Sequence, residues 1–140
     1  MMVRTILVVD EATRTRKLLA SVLSMKGYDV FEASDGRDAL ERAQILRPDL
    51  IIVEAMLPYL SGFEVCNALR RNPETKAIPL LMMCSLTRNL VRDDGAWRDH
   101  VPADEFITRP FGVRDLLNRI EKLIGSVAPT PSLSCTEETD

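Results

Sequence analysis

Short, solid apolar runs alternate along this chain with stretches whose apolar residues recur at helical spacing, and the alternation predicts its elements. Val3 to Val9 reads as a buried strand. Thr13 to Met25 reads as a helix with Leu18, Leu19, Val22 and Met25 on one side, and Gly27 is placed to end it. Tyr28 to Glu32 predicts a second strand, and Ser34-Asp35-Gly36 a helix entrance ahead of an inward stripe of Ala39, Leu40 and Ala43 that closes at Pro48. Leu50 to Val53 is a third strand. A loop, Met56 to Gly62, leads into a helix through about Arg71, and Asn72-Pro73-Glu74-Thr75 forms a turn before a fourth strand from Pro79 to Met83. Arg88 to Asp99 predicts a helix interrupted by Gly95 and bounded by Pro102. Glu105-Phe106-Ile107 is a short fifth strand, and Val113, Leu116, Leu117, Ile120 and Ile124 make the last helix amphipathic.

Strands alternating with helices imply an α/β fold: a mostly parallel sheet covered on both faces through right-handed crossovers. In such sheets ligands gather beyond the carboxyl ends of the strands. Asp10-Glu11, Glu54, Cys84 and Arg109 each follow a different predicted strand, so they are expected to meet at one edge of the sheet.

A length of 140 residues fits one domain and a tail. The expected division is a domain over residues 1–125 and, over 126–140, a polar Pro/Ser/Thr-rich segment read as a flexible tail or a truncated linker. With 18 Lys+Arg against 21 Asp+Glu and no basic stripe, direct nucleic-acid binding has no electrostatic support. Cysteines at 66, 84 and 135 are odd in number and widely spaced, which argues against a disulfide framework or a metal cluster. The first apolar run is too short for a membrane span, and the chain reads as soluble and cytoplasmic.

In their order and spacing these residues resemble a response-regulator receiver domain over roughly Val3 to Ile124. That resemblance implies a doubly wound five-stranded parallel sheet, order 2-1-3-4-5, flanked by five helices. It implies Mg²⁺ held by Asp10, Glu11, the residue at position 54 and the Met56 backbone carbonyl. It places Glu54 at the phosphoacceptor aspartate, Cys84 at the switch Thr or Ser, Phe106 at the aromatic switch position and Arg109 at the lysine before a proline. Pro58 and Gly62 match the loop pattern, and Pro110 implies a cis peptide that points Arg109 into the site. It further implies an exchange surface made by the fourth helix, fifth strand and last helix, usable for a homodimer, with a signalling protein or a histidine-kinase-related protein as partner. Trp97 lies in a connection longer than the family's usual one, where it is either an interface aromatic or a core plug.

Three of these matches are substitutions that act in the same direction. The extra methylene of Glu54 moves its carboxylate, and in-line phosphoryl transfer is intolerant of displacement. Arg109 offers a planar fork in place of a compact ammonium and could clamp Glu54 bidentately. Cys84 offers a weak S–H donor where a hydroxyl would bind a phosphoryl oxygen. The function expected is therefore a phosphorylation-independent protein-interaction receiver. The alternative is an active phosphorelay receiver that uses Mg²⁺ with an unusual acceptor. A Cys84 nucleophile lacks an identified base, since the lone histidine is His100.

Overall fold

The computed structural model describes residues 3–85 and 101–125. Five strands, β1 (Thr5–Val9), β2 (Asp29–Ala33), β3 (Leu50–Glu54), β4 (Leu80–Ser85) and β5 (Glu105–Arg109), form one sheet in the order β2-β1-β3-β4-β5. Every pairing is parallel, in agreement with the expected topology. The described helices are α1 (Thr13–Met25), α2 (Gly36–Leu46), α3 (Gly62–Arg71) and α4 (Val113–Ile124). The helix expected over Arg88–Asp99, and Trp97 within it, lie outside the described residues, as does the segment 126–140. No helix among the described residues is long and apolar enough to cross a membrane.

Side chains alternate across the pleat, so each strand feeds two cores. Leu7, Val9, Ile51, Val53, Leu80 and Met82 pack with Ala39, Ala43, Val65 and Leu69 of α2 and α3. On the opposite face Ile6, Val8, Ile52, Leu81, Met83 and Ile107 pack with Leu19, Leu23, Leu116 and Ile120 of α1 and α4. The helix starts follow local chemistry. The Asp35 side chain caps α2 by accepting from the Asp38 N–H, and Ser61 and Glu64 form a reciprocal capping box on α3.

The inward stripe of α1 differs from the expected one. Leu18 and Met25 are 63 % and 85 % exposed, and the buried residues are Leu19 and Leu23. Two apolar stripes compete on this helix, and the sheet selects the one that also brings Arg16 against Glu32. Val113 is likewise exposed at the start of α4, where the helix has only begun to approach the sheet.

Arg70 fastens the opposite end of the sheet from the strand C-termini. Its guanidinium donates to the carbonyls of Lys76, Ile78 and Pro102 and pairs with Asp104, whose carboxylate also accepts the Leu80 N–H. The starts of β4 and β5 are thereby held in register from α3.

Candidate functional site

β3 and β5 run slightly longer than their apolar cores predict, and this places the chemistry. Glu54 is the last residue of β3 and Arg109 the last of β5, while Asp10 directly follows β1. Parallel strands carry all three to one edge, where Asp10 and Glu54 are buried to 2 % and 6 % exposure. The Arg109–Pro110 peptide is cis, as the motif implied.

Arg109 does not grip Glu54 with both nitrogens; it divides its fork between the two acids. Nη2 donates to Asp10 Oδ2 at 2.7 Å, and Nη1 stands 2.6 Å from Glu54 Oε1. No donor hydrogen is aimed along the second contact, so it is held by charge and not by a directed hydrogen bond. The remaining oxygens face backbone. Asp10 Oδ1 accepts from the Ala12 N–H at 2.9 Å and Glu54 Oε2 from the Met56 N–H at 3.2 Å. Arg109 Nη2 also lies 3.5 Å from the Met83 sulfur. Burial pushes the Glu54 carboxyl above its usual range; Arg109 and the Met56 N–H oppose that rise, and the Asp10 charge adds to it.

The other expected positions do not all join the acids. Met56 and Gly62 lie beside the acids, and Gly62 brings α3 so close to β3 that its N–H reaches the Ala55 carbonyl at 2.9 Å. Cys84 is buried at the end of β4 within the α2/α3 core, and Phe106 packs against that same core from β5. Burial pushes the neighbouring Cys66 thiol up to about 12, which suits packing and not nucleophilic work. Glu11 is exposed to solvent. Pro58 accepts a hydrogen bond from the Leu60 N–H around a fully exposed Tyr59 whose φ of 68° lies in the left-handed region.

Two site residues escape sequence reasoning. Arg16 donates to the Asp10 carbonyl at 2.8 Å and pairs with Glu32, fixing the turn that carries Asp10. Met83 supplies the apolar surface behind Arg109. An arginine in the first turn of an amphipathic helix reads as solvated surface unless the strand opposite is known to carry an acid.

As arranged here, the acids do not fit a Mg²⁺ ion. Each oxygen of Asp10 and Glu54 already faces a guanidinium or a backbone N–H, and among the described residues no three His, Cys, Asp or Glu side chains converge as a metal site.

Residues 6–121 match the response regulator receiver domain family. The DNA-binding dual master transcriptional regulator RpaA of Synechocystis is 39 % identical over 119 residues, which cover 85 % of this chain and 48 % of that protein. This chain spans about half the length of the first curated relatives it matches. Among solved structures, the chemotaxis response regulator CheY4 of Vibrio cholerae superposes with a TM-score of 0.76 at 31 % identity, covering 87 % of this chain and 99 % of that one. The receiver domain of the sensor histidine kinase PA1611 from Pseudomonas aeruginosa, with a magnesium ion coordinated in its active-site cleft, shares the fold at a TM-score of 0.77 and 23 % identity over 89 % of this chain and 100 % of its own. The sheet order, the acids and base gathered at the strand ends, and a match spanning most of the sequence make this chain a member of the response regulator receiver domain family of two-component signalling.

Proposed function

We propose that this receiver is an atypical one, which works by phosphorylation-independent protein interaction. The observation that carries the reading is the state of Glu54: a buried carboxylate at the acceptor position with one oxygen against Arg109 and the other on the Met56 N–H. A phosphoacceptor must present a free oxygen in line with the incoming phosphorus, and positioning dominates such transfers. Glu54 instead supplies a standing negative charge that Arg109 answers. Cys84, buried at the end of β4, lacks the hydroxyl that would receive a phosphoryl oxygen.

Receiver domains exchange signals with histidine kinases and other signalling proteins, and such a protein is the proposed partner here. The proposed docking surface is the β5/α4 side, where Glu105 is bracketed by Arg119 and Lys122. A second copy of the chain could use the same surface.

Beryllium fluoride with Mg²⁺ mimics a phosphoryl group on receiver carboxylates, and amide spectra read its effect. The expected outcome is an unchanged spectrum across Glu54, Cys84 and Phe106. Saturable shifts at those amides that vanish in Glu54→Ala would instead favour the active phosphorelay reading.

A further inference from the structure

We propose that the Arg109 guanidinium is the resident cation of this site, standing between Asp10 and Glu54 in place of a divalent ion and closing the site to Mg²⁺. The inference rests on the same reading of the cluster as the proposed function, but it concerns metal and is tested without any phosphodonor.

Three observations carry it. The two contacts of Arg109, 2.7 Å to Asp10 and 2.6 Å to Glu54, fall on the two carboxylates that a bridging ion would share. The other oxygen of each acid faces the Ala12 or Met56 N–H, so a metal would have to remove a backbone partner as well as Arg109. Both acids are buried, whereas Mg²⁺ gives up its hydration reluctantly and keeps several waters in an octahedral shell. While Arg109 is in place, its guanidinium takes up the position between the two acids.

Covalent attachment makes the competition unequal. Arg109 is held at the end of β5 by strand pairing through Cys84–Thr108 and Ser85–Arg109, so it competes as an intramolecular ligand at high effective concentration. Its fork also spans two carboxylates at once, which a lysine ammonium, a point charge, does less well. The acids are therefore paired in the same way whether Mg²⁺ is scarce or plentiful, and the arrangement at the strand ends is independent of the metal.

The test is a titration with MgCl₂ read by the amide resonances of Ala12 and Met56, the two donors that a metal would displace. In the parent chain millimolar Mg²⁺ is expected to leave both resonances unmoved. In Arg109→Met and Arg109→Lys, saturable shifts are expected at both, with apparent affinity at least about tenfold tighter than in the parent. Should Arg109→Met fail to fold, Arg109→Lys, which keeps a cation beside the acids, carries the comparison. Should both fail, Mn²⁺ added to the parent still decides, because a bound paramagnetic ion would broaden the Ala12 and Met56 amides. Saturable Mg²⁺ shifts or Mn²⁺ broadening in the parent at these amides would overturn the proposal. So would a folded Arg109→Lys that remains blind to Mg²⁺. Metal binding by the parent would leave the question of phosphoryl transfer open, so the two readings fail separately.

Discussion

Arg109→Met is expected to destabilise the domain by about 3 kcal/mol at neutral pH, because it leaves two buried carboxylates facing each other without a cation. Methionine keeps much of the apolar stem against Met83, so the loss reports charge more than volume. Arg109 is partly exposed, which holds the figure at the low end of the range for a broken buried pair. The pH dependence gives the sign. Burial already raises the Glu54 carboxyl in the parent, and removing Arg109 takes away the main influence that opposes the rise. A carboxyl whose folded pKa exceeds its unfolded one binds protons more tightly when folded, so stability falls as pH rises through that window and returns as pH falls through it. The deficit of Arg109→Met should therefore shrink on acidification from neutral toward the ordinary glutamate range. Urea titrations at neutral and mildly acidic pH check this, and an equal deficit at both would mean that lost packing, not unpaired charge, sets the cost.

Gly62→Ala should be almost as damaging. A Cβ there would fall inside the van der Waals shell of the Glu54 carbonyl oxygen and 2.9 Å from the Ala55 Cα, both rigid backbone. α3 would have to retreat from β3, which disturbs the Gly62–Ala55 hydrogen bond, the Ser61–Glu64 capping box and the loop that carries the Met56 N–H. About 3 kcal/mol is the expected loss, at the upper end of what overpacking costs. Thermal unfolding of the variant measures it. A change within ~0.5 kcal/mol, typical of an unremarkable surface site, would show that the close approach is not maintained in solution.

The strands and the site were legible in the chain to different depths. The cores of β1, β3 and β4 were visible because a parallel strand buried on both faces reads as a solid apolar run, and Leu50 to Val53 is the plainest case. The strand ends were not. Glu54, Thr108 and Arg109 extend their strands through main-chain pairing, which polar side chains do not advertise. In α1 two stripes, one through Leu18, Val22 and Met25 and one through Leu19 and Leu23, satisfy helical spacing equally. Only the sheet decides between them. The meeting of Asp10, Glu54 and Arg109 followed from topology, since residues at the C-terminal ends of parallel strands share an edge. What periodicity could not supply was how Arg109 divides its fork. That depends on Asp10 and Glu54 being buried within reach of the same guanidinium. The part played by Arg16 was hidden for the same reason, because its partners Glu32 and the Asp10 carbonyl lie on other elements.

The proposed function turns on whether Glu54 accepts a phosphoryl group, and intact-mass spectrometry after incubation with acetyl phosphate and Mg²⁺ asks this most directly. The chain is expected to keep its unmodified mass, with Glu54→Ala indistinguishable from the parent. A stoichiometric gain of one phosphoryl group, lost in Glu54→Ala and released as expected for an acyl phosphate, would contradict it.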